Sequence, residues 1–271
     1  MHLVRYRGED GAVSIGVRKG DGVVRTGYSD MVELLRGGDA ALADVHAVAE
    51  SGEVTTPAQI LAPMDNPGKM FFLGMTYEQF RQDVEPDAAP YVYARVQSSI
   101  VGPGDDIRVP QEDAHLLYEG ELVIVIGKPM FRVAASEAMD YVAGYTIAND
   151  VTWTQWVHGG TKVGPQISLS KNADTFCPLG PDVVTADEID PHDVDFTVTV
   201  NGERKTTSST RSLALKVPAI LEFLCRDTTL WPGDLISTGT SDAQDIVAGD
   251  DVVIEFAGIG VLRNPVVAGW A

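Results

Sequence analysis

Only two of the 271 residues are cysteine, Cys177 and Cys225, and neither sits in a Cys-X-X-Cys or Cys/His cluster. That argues against a secreted disulfide framework and a zinc site, and makes reduced thiols in a cytoplasmic protein the expectation. Basic residues are also scarce. Twenty Lys and Arg face 39 Asp and Glu, a formal charge of −19 that repels phosphate backbones and anionic lipid. Nucleic acid and membrane surfaces are therefore not expected as partners. No apolar run approaches the roughly 20 residues that cross a bilayer, and Met1 to Arg7 lack the apolar stretch of a signal peptide. The usual short motifs are missing too: no GxGxxG opens a strand-to-helix crossover, and there is no P-loop, GxSxG elbow or HExxH pair. A nucleotide cofactor, a serine hydrolase and a zinc protease each lose their customary support.

What is present is an ordinary globular composition, 44% hydrophobic and 22% charged. A chain of this length buries roughly three quarters of its unfolded surface and needs no covalent staple to fold. Short strands separated by Gly and Asp turns are expected at Leu3 to Tyr6, Ala12 to Val17 and Gly22 to Thr26. Ser29 or Asp30 would cap a short helix carrying Met31, Leu34 and Leu35, which Gly37-Gly38 would end. The turn-rich Pro63 to Gly68 suggests a boundary, with a small β-rich N-terminal domain over 1–64 and the main body over 65–271.

Within the body, Lys69 to Leu73 and Leu122 to Ile126 read as strands buried on both faces. Further strands are expected at Val194 to Val200, Asp234 to Thr238 and Val252 to Phe256. Helices are expected to be few: Ser136 to Val142, and Leu213 to Arg226 with Pro218 marking its true start.

The chemistry begins at Tyr118-Glu119-Gly120-Glu121-Leu122, which leads into the apolar run Val123-Ile124-Val125-Ile126. Residues two apart on a strand share a face, so Glu119 and Glu121 would project together at about 7 Å. A hard divalent cation such as Mg²⁺, Mn²⁺ or Ca²⁺ would cancel their repulsion. The plainer alternative is a solvated pair at the frayed start of an edge strand. Asp150, closing the uncharged segment Val142 to Asn149, is placed to be a third ligand.

These segments resemble the fumarylacetoacetate hydrolase superfamily. The likeness runs from about Lys69 to Val267 through Ser98 to Asp105, Tyr118 to Lys128, Ala138 to Thr152, Ser170 to Pro181 and Pro232 to Thr240. It implies an α+β fold, a mixed, rolled β-sandwich body with short helices behind the small N-terminal domain, and a homodimer. It makes Glu119, Glu121 and Asp150 the ligands of Mg²⁺ or Mn²⁺, with Ca²⁺ as a third option. It also makes Lys171 the cation near a substrate carbonyl, Thr240 a substrate-carboxylate contact, and Arg95, which keeps the positive charge where the family generally has Lys, a further substrate contact.

The implied chemistry is formation of an enolate from a 2-oxo acid or 1,3-dicarbonyl compound, with C–C hydrolysis as the family default. Two departures bear on that default. In Gly74 to Asp83, Phe80 takes the position where family hydrolases carry His, leaving Asp83 without its partner. After Asp150, Trp153, Gln155 and Trp156 stand where an Arg and a Gln are common. Glu78, Asp83, Tyr77 and His158 are the candidate substitute acids or bases, with Tyr77 and Gln155 as further substrate contacts. The missing His also admits a decarboxylase, isomerase, or dehydratase or cyclase of specialised metabolism, or a catalytically silent metal- or ligand-binding family member.

Overall fold

Asp30 caps the first helix, Met31–Arg36, by accepting the Glu33 N–H at 2.7 Å, and Gly37 ends it. The structure, a computed structural model, describes residues 1–85, 88–157 and 164–269. The expected N-terminal strands are His2–Arg7, Val13–Lys19 and Gly22–Arg25, joined as an antiparallel meander. Gly37-Gly38 ends that helix as expected, but the chain does not then leave helical structure. It forms a corner, with Gly38 at φ +60°, and a second helix follows over Gly38–Ser51. That 14-residue helix corrects the expectation of a single short helix. Its buried face is Ala41, Val45 and Ala49, too small and weakly apolar to stand out from its surroundings as a stripe.

Among the described residues, twelve strands join one mixed sheet. His2–Arg7 pairs antiparallel with Cys177–Thr185, which pairs with Val142–Asn149, so the N-terminal meander continues directly into the sheet of the body. The two parts also share a core: Leu3, Ile15, Leu34 and Val45 pack in one cluster with Phe72, Val123, Val125 and Leu179. A five-stranded sheet holds Asp195–Val200, Glu203–Ser209, Asp251–Phe256, Gly260–Ala268 and Ile107–Val109. This is the α+β architecture expected, with few and short helices. The Ser136 to Val142 segment is a 3₁₀ helix, Ala135–Tyr141, and Pro218 lies in the first turn of Val217–Cys225, where a missing N–H costs nothing.

The strand that positions the site is Gly120–Ile126, entirely buried between Val142–Asn149 and Leu235–Ser237. Its even-numbered residues Leu122, Ile124 and Ile126 enter the larger core, while Val123 and Val125 face the cluster shared with the N-terminal meander. Two-residue periodicity puts Glu121 on the second face. Asp234, 1% exposed, accepts the N–H groups of Lys69 (2.7 Å) and Trp231 (2.8 Å). It thereby fastens the Pro232-Gly233-Asp234 turn to Met70–Gly74, which runs parallel to Leu235–Ser237.

Candidate active site and metal centre

Glu119 and Glu121 do not occupy one continuous strand. Leu116–Tyr118 pairs with Thr152–Trp153 in a separate small sheet, and Glu119 lies in the break before Gly120–Ile126. The break is held by the neighbouring chain: the Asn149 side chain accepts the Glu119 N–H at 3.0 Å, and the Glu119 carbonyl accepts the Asp150 N–H at 2.8 Å. Asp150 therefore sits opposite Glu119. One carboxylate oxygen from each of Glu119, Glu121 and Asp150 lies within 4.8 Å of the others. Asp150 and Glu121 are buried and Glu119 partly so, which sets aside the solvated edge-strand alternative.

Two cations close the cluster. Lys171, 5% exposed at the end of the helix Ile167–Lys171, donates from Nζ to Glu119 Oε2 (2.9 Å), to the Asp150 carbonyl (3.1 Å) and to Asp150 Oδ2. Arg95 donates from Nε to Asp150 Oδ1 at 2.5 Å and from its terminal nitrogens to the carbonyls of Lys171 and Val151, while its guanidinium stacks 5.2 Å from the Phe72 ring centroid. A guanidinium with its N–H groups spent in this way acts as a strut between Asp150 and the Lys171 backbone. Tyr93 lies under Lys171, its ring centroid 5.2 Å from Nζ.

Three acids against two cations leave excess negative charge in a buried space. Burial, then Asp150 and Glu119, push the Glu121 carboxyl well above its ordinary value. Burial also raises Glu119, with Lys171 opposing. For Asp150 burial acts upward, but Arg95 and Lys171 outweigh it and hold the carboxyl below its ordinary value. Burial would lower Lys171; Asp150 and Glu119 outweigh it and keep the ammonium protonated. In the core cluster that Val123 and Val125 enter, burial pushes the Cys177 thiol up to about 12, so it is inert as a thiolate. Hard oxygen donors and unbalanced charge suit a divalent cation, and among the described residues Glu121 Oε1 is buried with no hydrogen-bond partner.

The signs at Glu121 and Asp150 are opposite. A group raised on folding contributes stability that is complete below its unfolded pKa and is lost as pH rises through the folded one. A lowered group contributes above its unfolded pKa and loses it as pH falls. In chelator-treated protein, Glu121→Gln is therefore expected to raise the urea midpoint at pH 8, and by less at pH 5. A midpoint difference that does not grow with pH would refute the buried-charge account.

Tyr77 packs in the larger core, near enough for the Glu121 charge to act on it. Its side chain is fully buried, its hydroxyl has no partner, and burial together with the Glu121 charge pushes the phenol far up. Thr76 holds it there through Oγ1 to the Thr238 carbonyl (2.6 Å) and its own carbonyl to the Ala214 N–H (2.8 Å). Gly239, at φ +83°, completes the contact; a Cβ there would strike Thr76 Oγ1 and approach the Leu73 carbonyl to 2.7 Å.

Other sequence candidates are placed differently. Glu78 and Asp83 are exposed, as is Phe80 between them, so none is packed into the carboxylate cluster. Gln155 spends its amide on the backbone of the preceding loop, accepting from His115 N (2.9 Å) and donating to the Asp113 carbonyl (2.5 Å). Thr240 donates to the Asp242 carbonyl at 2.7 Å, closing a local turn. Trp153 and Trp156 pack edge to face at 5.7 Å, and Trp153 reaches the larger core. His158 lies outside the described residues. A surface groove of about 620 Å³, between His2, Arg18 and Phe256, contains none of these groups.

The profile of the family described as Fumarylacetoacetate (FAA) hydrolase C-terminal matches residues 70–267, a stretch containing every residue of the cluster. The chain belongs to this family. Among relatives of the fumarylacetoacetate hydrolase family, the mitochondrial oxaloacetate tautomerase fahd2 of Xenopus laevis is 34% identical over 290 residues, covering 98% of this chain and 90% of its own. The 5-carboxymethyl-2-hydroxymuconate delta-isomerase of Mycobacterium smegmatis has a TM-score of 0.80 and 33% identity, covering 99% of this chain and all of that one. The maleylpyruvate hydrolase of Sphingobium sp. SYK-6, in complex with manganese(II) and pyruvate, has a TM-score of 0.84 and 26% identity, with 100% of both chains covered. The protein is thus an enzyme of the fumarylacetoacetate hydrolase family, whose members so matched include tautomerase, isomerase and hydrolase.

Proposed function

We propose that this enzyme interconverts the keto and enol forms of a short 2-oxo dicarboxylic acid of the oxaloacetate type, with a divalent cation. The observation that carries the reading is the buried convergence of Glu119, Glu121 and Asp150 around a shared space beside Lys171. Those three acids would hold Mg²⁺, Mn²⁺ or Ca²⁺, which when bound supplies the positive charge that makes a carbon next to a carbonyl more acidic. Lys171 Nζ adds a fixed ammonium for the oxygen on which negative charge develops. Tyr77 keeps its proton because burial and Glu121 raise it, and its unpartnered hydroxyl is suited to donate to a substrate oxygen. Arg95, taken from sequence as a substrate contact, acts in this reading by holding Asp150 and Lys171 in place.

Tautomerisation moves a proton and consumes no water, so it does not need a dyad to activate water, the function that Phe80 and the exposed Asp83 would lack. Similarity to oxaloacetate tautomerases along nearly the whole chain supports the same choice. C–C hydrolysis is the second reading, favoured by the likeness to the Sphingobium hydrolase. The test follows the ultraviolet absorbance of enol-oxaloacetate with Mg²⁺, beside release of pyruvate from maleylpyruvate. Faster loss of the enol without pyruvate release supports tautomerisation; pyruvate release at the higher rate replaces it with hydrolysis. EDTA is expected to remove at least nine tenths of the activity and Mg²⁺ or Mn²⁺ to restore it, whereas unchanged turnover after dialysis against chelator would remove the cation from the reading.

A homodimer and a cytoplasmic location belong to the same proposal, the latter set against relatives whose names place them in mitochondria. Among the described residues no helix is long and apolar enough to cross a membrane. Sedimentation of the purified protein and fractionation of its host cells test the two.

A further inference from the structure

Each acid of the cluster accepts a hydrogen bond from a different neutral hydroxyl. Thr152 Oγ1 donates to Glu119 Oε1 at 2.5 Å, Ser237 Oγ donates to Glu121 Oε2, and Tyr93 Oη donates to Asp150 Oδ2. Thr152 Oγ1 also lies 3.3 Å from the Asp150 carbonyl, but its single proton goes to the shorter partner. The three hydroxyls come from three separate strands, Tyr91–Ala94, Thr152–Trp153 and Leu235–Ser237. Ser237 and Glu121 are both buried, so solvent does not compete for the oxygen they share, and Thr152 is itself nearly buried beside the partly exposed Glu119.

The arrangement matters most at Glu121. Ser237 takes Oε2 and leaves Oε1 buried with no partner, an orientation that costs free energy unless something positive meets that oxygen. The hydroxyl therefore selects which oxygen is presented. A hydroxyl differs from Lys171 and Arg95 in a decisive way. It fixes the torsion of a carboxylate through one proton but brings no net charge, so the acid keeps its full attraction for a cation.

We infer that Tyr93, Thr152 and Ser237 are positioning residues that pre-orient the three acids for a divalent cation. This rests on the metal-dependent reading above, and none of the three needs to touch substrate. The chemistry predicts a division of labour: Arg95 and Lys171 offset repulsion and brace Asp150 and Glu119, while the hydroxyls add orientation without neutralising any acid.

The test is calorimetric titration of Mn²⁺ into chelator-treated protein carrying Ser237→Ala, Thr152→Val or Tyr93→Phe. Each deletion is expected to weaken Mn²⁺ binding about 10–100-fold. Ser237→Thr, which keeps the hydroxyl, is expected to stay within a few-fold of the wild type and so excludes a folding defect as the cause. Thr26→Val removes a buried hydroxyl whose partner is the Ile15 carbonyl (2.7 Å), far along the N-terminal meander. It is expected to lower the melting temperature without changing Mn²⁺ affinity. If the wild type binds Mn²⁺ and the three deletions bind it as tightly, the positioning role is overturned and the metal reading stands. If the wild type itself takes up no Mn²⁺, both fall together.

Discussion

Asp150→Ala is expected to abolish cation binding and turnover and, at the same time, to destabilise the protein severely. Asp150 is fully buried and receives Arg95, Lys171 and Tyr93, so its removal strands a guanidinium that is itself fully buried. Leaving a buried charge without its partner costs about 3–5 kcal/mol, a large share of the stability of an ordinary domain. Urea denaturation measures the loss, and Glu119→Ala supplies the comparison. Glu119 is partly exposed and accepts side-chain hydrogen bonds from Lys171 and Thr152, so its removal should cost clearly less stability while still ending activity. Equal midpoints for Asp150→Ala and the wild type would show that Arg95 does not depend on Asp150.

Lys171→Met is expected to lower kcat about 10²–10³-fold, the scale of loss when a preorganised group that stabilises developing oxyanion charge is removed; with its three N–H groups held by Glu119 and Asp150, Lys171 acts through its fixed positive charge. Methionine fills the space of the lysine stem and deletes the ammonium. Because Lys171 neutralises Glu119 and Asp150, its loss makes the cluster more negative, so Mn²⁺ affinity should be unchanged or tighter. The combination separates chemistry from assembly. A variant that loses turnover together with Mn²⁺ binding would make Lys171 a structural counter-ion, and one with wild-type kcat would take it out of the reaction.

The acid pair was legible because its signal is local: two glutamates two apart before a run of branched residues admit few structures. Asp150 was legible because an acid ending an uncharged segment is conspicuous. Lys171 and Arg95 carried no such mark and came only through the family likeness, since one lysine in a polar segment reads as surface until the chain is folded. Tyr93, Thr152 and Ser237 were not singled out at all. Neutral hydroxyl residues in strands are common, and what distinguishes these is a partner 33 to 116 residues away. For Thr152 a faint signal existed, its two-residue spacing from Asp150. The helix Gly38–Ser51 went unseen for a related reason, because its small buried residues give little contrast between faces.

Sequence by itself determined the continuous apolar run that makes Gly120–Ile126 a doubly buried strand, the turn at Pro232-Gly233-Asp234, the acids available for a cation and the family to which they belong. Those properties follow from neighbours within a few residues or from a pattern repeated along the chain. Tertiary structure alone decided that Glu119 leaves the strand, that Arg95 turns inward as a strut, that Gln155 is spent on its neighbouring loop, and that the Tyr77 hydroxyl is buried without a partner among the described residues. Each of these depends on which distant groups share a low-dielectric space. There the cost of an unpaired charge or hydroxyl is high enough to dictate where every side chain points.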